Sequence, residues 1–162
     1  MDITFVDGDD NVIGYGSKQE AIQGRIAHRV SNVILMRDDG DVLLQRRHDS
    51  LPSYPGRWDT AAAGHVDRGE TYEEAAIREL REEIGVVGVI LTKVAYYFRE
   101  DEALRFNTVF KVVFNGDVSA DPDEVSATRW FRVSDLIAEI NRHPDTFTPG
   151  CRHIYTNLGL FE

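Results

Sequence analysis

The chain has 162 residues, of which 18 are Lys or Arg and 28 are Asp or Glu, giving a formal net charge of −10, and its 42% of hydrophobic residues can build a core for one domain over residues 1–162. The acidic balance excludes a general nucleic-acid binder, which needs a basic face for the phosphates, but leaves small phosphorylated ligands open to local arginines. One cysteine, Cys151, excludes an intrachain disulfide, and the start Met1-Asp2-Ile3-Thr4 carries neither the basic region nor the apolar run of a signal peptide.

In chain order, residues 4–6 and 12–15 flank the turn-rich stretch Asp7-Gly8-Asp9-Asp10-Asn11 and predict an N-terminal β-hairpin. Residues 18–23 suggest one or two helical turns closed by Gly24. A buried strand follows over 28–37, then a turn at Asp38-Asp39-Gly40-Asp41 and a partner strand over 42–47. Pro52, Ser53, Pro55 and Gly56 mark a loop, and 58–63 predicts a short strand. Residues 71–84 form the best helix: Thr71 and Glu74 make a capping box, and Gly85 stands where a helix end favours a left-handed residue. Two long strands over 86–98 and 104–114, another over 129–133, a helix capped by Ser134 through about 141, and a last helix starting at Thr148-Pro149 complete the chain. The expected fold is α/β with a mixed sheet, without repeats or linkers. No stretch approaches the ~20 apolar residues of a membrane span. The expected protein is cytoplasmic, with no membrane or nucleic-acid partner.

On the 71–84 helix, Glu82 and Glu83 lie three and four positions beyond Glu79, so the three share one face. Ala76, Ile77, Leu80 and Ile84 make the adjoining apolar stripe. Carboxylates held about 5 Å apart repel by roughly 3 kcal/mol at an effective dielectric near 20. Half-buried acids so placed need protons, arginines or a metal, and a hard, oxygen-seeking cation such as Mg²⁺ suits them. The alternative is a solvated helix in which Glu74–Arg78 and Arg78–Glu82 are ordinary ion pairs.

The wider pattern resembles a known family. Gly64, five residues, Glu70, seven residues, then Arg78-Glu79-Leu80-Arg81-Glu82-Glu83-Ile84-Gly85-Val86 matches the Nudix box over residues 64–86. The resemblance implies an α/β/α sandwich and hydrolysis of a nucleoside diphosphate linked to another group. It implies Mg²⁺, with Mn²⁺ as a substitute. It also implies metal ligation by Glu79 and Glu83, by Glu82 as a further ligand or as the base that activates water, and by Glu70 and the Gly64 carbonyl. Arg78 is similar to the arginine that orients a catalytic glutamate in that family. Glu124, within Asp121-Pro122-Asp123-Glu124, is a second candidate base, its alternative being a solvated turn residue.

Arg46 and Arg47 end the 42–47 strand beside the loop to the box, and alternation sends them to opposite faces, so at most one enters a pocket. Either could clamp a phosphate; Arg57 and His65 are further substrate-binding candidates. Tyr54, Trp58 and Trp130 could stack on a base or pack in the core. His28 reads as structural, and Cys151 and His153 are too isolated for a site. His28, the Leu44-Gln45-Arg46-Arg47 strand, Tyr54-Pro55-Gly56-Arg57-Trp58 and Ala63-Gly64-His65 resemble the isopentenyl-diphosphate isomerase branch of the superfamily. That branch needs a cysteine where this chain has Ala63, and acids on the strand that here reads Phe106-Asn107-Thr108-Val109-Phe110. The reading is therefore a hydrolase on an isomerase-like scaffold, with isomerase-like activity and a non-catalytic nucleotide sensor as alternatives. The expected partner is a small phosphorylated substrate, and a homodimer is the default assembly.

Overall fold

The structure, a computed structural model, describes residues 1–161. The strand β3 (Ala27–Met36) organises it. One edge of β3 runs parallel to β8 (Leu104–Val113) over nine paired positions, from His28 opposite Arg105 to Met36 opposite Val113. Its other edge is shared by three antiparallel partners in turn. These are β1 (Ile3–Val6) at Ala27 and His28, β6 (Ala62–His65) at Val30 to Val33, and β4 (Val42–Arg47) at Leu35 and Met36. The hairpin of β1 with β2 (Val12–Gly16) is antiparallel, as expected, and β7 (Thr92–Glu100) flanks β8. β4 leaves β3 after two positions to pair with β5 (Trp58–Thr60) and β9 (Val125–Phe131). The result is a mixed sheet that forks where β4 and β6 separate.

Alternation along β3 and β4 supplies both faces. Val33, Leu35 and Leu43 pack with Ala76, Leu80 and Ile84 of α2 (Tyr72–Ile84) on one side. Ile34, Val42 and Leu44 pack on the other with Leu136 and Ile140 of α3 (Val133–Arg142) and with Cys151 and Ile154 of α4 (Pro149–Thr156). This is the α/β/α sandwich. A short helix α1 (Lys18–Gln23), capped by Ser17, covers the hairpin through Ala21. Among the described residues, no helix is long and apolar enough to cross a membrane.

Several expectations change. The 42–47 strand is a partner of β3 over only two positions, because continued pairing would exclude β6 from the same edge. The 58–63 strand is two strands, since Thr60 pairs with β4 and Ala62 with β3. Residues 86–91 do not join β7; the left-handed Gly88 (φ 70°) interrupts extended backbone there. β9 begins at Val125, and Ser134 lies inside α3, whose cap position is Arg132 with no side-chain bond. Ile77 is 45% exposed, and the buried stripe of α2 runs through Ala75, Ala76, Leu80, Glu83 and Ile84.

Candidate active site

The helix α2 is held firmly at both ends. Thr71 Oγ1 accepts the Glu74 N–H at 3.1 Å and the Glu74 carboxylate accepts the Thr71 N–H at 3.1 Å, the predicted capping box. Gly85 adopts φ 67° and donates its N–H to the last turn. The apolar stripe packs α2 onto β6, and this turns Glu79 and Glu83 toward Ala63 and Gly64. A Cβ on Gly64 would collide with the Glu79 carboxylate, so the close approach of helix and strand requires glycine here. Glu83 is only 6% exposed; its carboxylate accepts from Gln45 Nε2 at 3.2 Å and from the Ala63 N–H at 3.4 Å.

Arg78 ties the remaining acids together. Its Nε and Nη2 donate to the two Glu70 oxygens at 2.8 and 3.0 Å. Nη1 donates to Glu79 at 2.7 Å and to Glu82 at 3.3 Å. Nη2 also donates to the His65 carbonyl at 3.0 Å and pairs with Asp67 at 3.3 Å. A planar fork with five N–H groups can serve so many acceptors, which a lysine cannot. The Glu70 contacts, foremost, hold Arg78 protonated beyond its ordinary range. Burial pushes Glu79 up to about 7, against the opposing charge of Arg78. Burial, and then the charge of Glu79, drives Glu83 well above the carboxylate range.

Glu79, Glu83, Glu124 and Gly64 line one cleft of about 300 Å³, with Lys18 and Arg47 among its other lining residues. Past Gly64 and His65 it continues into an inner cavity reached by Arg47, Asp59, Arg99 and Arg105. Of the predicted site residues, the structure therefore brings together Glu79, Glu83, Gly64, His65, Glu124 and Arg47. Glu70 is engaged by Arg78 and by the Asp67 N–H at 2.8 Å. Glu82 is half exposed on the outer side of Arg78. Arg46 points to the opposite face, where it meets Ser126 and Asp49, and Arg57 lies over the Tyr54 ring; neither lines the cleft. Trp58 packs edge-on against Phe131, and Trp130 lies under the Arg37 guanidinium. Tyr54 lines the inner cavity.

Gln45, Asp67, Lys18, Asp59, Arg99 and Arg105 were not singled out from the sequence. For Gln45 a signal existed, since alternation puts it on the same strand face as Arg47. Asp67 sits within the box at a position its spacing does not fix, and Lys18, Asp59, Arg99 and Arg105 reach the cleft or the inner cavity from elements far apart in the chain, which no local pattern marks.

The carboxylates fit a divalent cation. Glu83 is buried and Glu79 largely so, and their charged forms lack compensation within hydrogen-bond reach beyond Arg78, Gln45 and one amide, with Gly64 beside them. Among the described residues, no three His, Cys, Asp or Glu side chains stand ready as a metal cage, because Arg78 gathers Glu70, Glu79 and Glu82 to itself.

A glutamate-rich, capped helix set on an α/β/α sandwich is the arrangement that the resemblance to the Nudix family implies. Residues 27–153 match the NUDIX domain model, and the chain belongs to that family. It is 33% identical over 148 residues to an uncharacterized Nudix hydrolase of Yersinia pestis, covering 91% of this chain and 79% of that one. It is also 33% identical over 143 residues to an isopentenyl-diphosphate Delta-isomerase of Cereibacter sphaeroides, covering 83% of this chain and 80% of the other. The crystal structure of DR0079 from Deinococcus radiodurans superposes with a TM-score of 0.83 at 23% identity, over 96% of this chain and 97% of that chain, and shows the shared fold. Nudix hydrolases act on small phosphorylated substrates and generally use divalent metal ions, so both resemblances read from the sequence, to the family and to its isomerase-like members, hold.

Proposed function

We propose that this chain is a hydrolase, dependent on Mg²⁺ or in its place Mn²⁺, that cleaves a phosphoanhydride bond in a nucleoside-diphosphate-linked or similar small substrate. The observation that carries this is the placing of buried Glu83 and largely buried Glu79 in one cleft with Lys18 and Arg47. Glu79, Glu83 and the Gly64 carbonyl would hold the ion, with Glu70 and Glu82 as outer partners. The cation, when bound, supplies neutralisation of phosphate charge and makes water more acidic. Arg78 keeps Glu70 and Glu79 oriented through its bonds at 2.8 and 2.7 Å. Arg47 and Lys18 bind and orient the phosphates, and His65 borders them. Glu124 accepts the proton of the attacking water. This is supported by its place on the cleft wall and by the outward, Arg78-bonded position of Glu82. Water oxygen then bonds to phosphorus, the bridging P–O bond breaks, and the second phosphate leaves as an anion.

Isomerase-like activity has one observation in its favour, the Cereibacter relatives. The residues oppose it. Ala63 holds no thiol, and β8 offers Arg105, Asn107 and Thr108 where proton donors would be needed. Hydrolysis in isotope-labelled water tests the proposal. One labelled phosphate product, with turnover falling about 100-fold in Glu124→Gln and much less in Glu82→Gln, supports the assignment. Conversion of isopentenyl diphosphate to its isomer by the pure protein would replace it.

A further inference from the structure

The inner cavity behind Gly64 has a charge opposite to that of the molecule. Four cationic side chains, Lys18, Arg47, Arg99 and Arg105, and two acids, Asp59 and Glu102, line it in a chain of net charge −10. The cations are poorly matched. Arg99 and Arg105 share a single carboxylate, Asp101, at 3.5 and 3.0 Å. Their side chains are only 20% and 14% exposed, and Arg99 Nε is buried with no hydrogen-bond partner. Arg47 meets Asp59 only at 3.9 Å. Asp59 is itself engaged by Thr148 Oγ1 at 2.9 Å. A nearly buried guanidinium with an unmet donor is costly unless something fills its place.

The opposite wall adds to this field. Pro149 and Gly150, the first residues of α4, line the same cavity. Pro149 has no N–H and the Cys151 N–H donates to Thr148 Oγ1 at 3.2 Å, so of the first-turn amides Gly150 keeps the free N–H, and the helix dipole there favours an anion. Gly150 leaves the space open: a Cβ on it would stand 3.9 Å from Arg99 Nη1, its one neighbour within contact range. The cavity shares Lys18, Arg47, Gly64 and His65 with the carboxylate cleft, so a single ligand can reach both.

We propose that this cavity binds a second anionic group of the substrate, a phosphate or carboxylate carried beyond the scissile diphosphate, through Arg99, Arg105 and the Gly150 N–H at the start of α4. The inference deepens the reading of the site as a diphosphate hydrolase and rests on it for the word substrate. It narrows the substrate class to compounds with an anion at each end.

The test titrates metal-free protein with inorganic phosphate and, separately, with malonate, by calorimetry. Wild type is expected to bind at least one of them. The tighter anion tells whether the subsite takes a phosphate or a carboxylate. Arg99→Gln and Arg105→Gln should each weaken that binding about tenfold, the effect of one charge-assisted hydrogen bond. Gly150→Leu, which fills the space without removing a charge, should abolish it. Thermal unfolding of each variant identifies any that fails to fold, and Gly150→Leu and the two arginine variants fail independently. Among substrates, wild type should prefer NADPH to NADH, which differ by one phosphate, or a carboxylate-bearing diphosphate to its neutral ester. Arg99→Gln should erase that preference. Binding of neither anion, or equal binding by wild type and the folded variants, would overturn the subsite. Glu83→Gln should leave anion binding unchanged while stopping hydrolysis. Absence of hydrolysis by wild type would instead sink the hydrolase reading, and unimpaired hydrolysis in Glu83→Gln the metal-site assignment, each leaving the titration to judge the subsite alone.

Discussion

Glu79 and Glu83 lie one helical turn apart, and burial drives both toward the protonated form. Glu83→Gln keeps the shape and the Gln45 and Ala63 neighbours but removes the charge. It is expected to cut metal-dependent turnover about 100-fold while leaving the folding stability unchanged or higher, since a buried charge is lost. Paired measurements of kcat and of the urea midpoint check this. Gly64→Ala acts from the other side of the same contact. Its Cβ would displace the Glu79 carboxylate, so activity should fall together with about 1–3 kcal/mol of stability. Glu79, Glu82 and Glu83 were legible in the sequence because the helix repeat places them on one face, and Gly64, Glu70 and Arg78 because their spacing resembles the Nudix box. Gln45 and Asp67 were not, because one bonds to Glu83 from a strand and the other to Arg78 from a turn, and neither follows the helical period.

At the scale of elements, local chemistry and tertiary pairing divide the account. The limits of α2 were readable because the capping box and the left-handed Gly85 are local signals. Thr71→Ala should lower stability by about 1 kcal/mol, read from denaturant midpoints. Gly85→Ala should cost at least as much, because a side chain disfavours φ 67° and its Cβ would press on the Ser119 carbonyl at 3.1 Å. The fork in the sheet was hidden. The strands of β3 and β4 look like an ordinary hairpin pair, and only the competition of β6 for the same edge of β3 separates them. That separation opens the cleft. The failure of 86–91 to form strand has a local cause in Gly88, but its Val and Ile content masked it.

For the whole molecule, the buried His28 and the half-buried His65, whose Nε2 is buried without a partner, set an acid limit. Burial lowers the pKa of His28, and it lowers that of His65 from 6.5 to about 3. Above about pH 6.5 neither the folded nor the unfolded chain binds a proton at His65. Below it the unfolded chain takes one up and the folded chain does not, so stability falls as the pH drops from about 6.5 toward 3. Between about pH 7.5 and 5.5, wild type should lose about 1 kcal/mol more than His65→Asn in urea unfolding; equal losses would refute the assignment. Charge at this scale is also uneven. An acidic molecule with a cationic cavity attracts a small anion over short range only, which composition alone could not show.

The most direct measurement is product release from a panel of nucleotide-linked and simple diphosphates, with Mg²⁺ and with chelator, by wild type and Glu83→Gln. The account predicts turnover of at least one compound, abolished by chelator and reduced about 100-fold in the variant. Turnover that survives both chelator and Glu83→Gln, or silence across the whole panel with the two proteins indistinguishable, would contradict it.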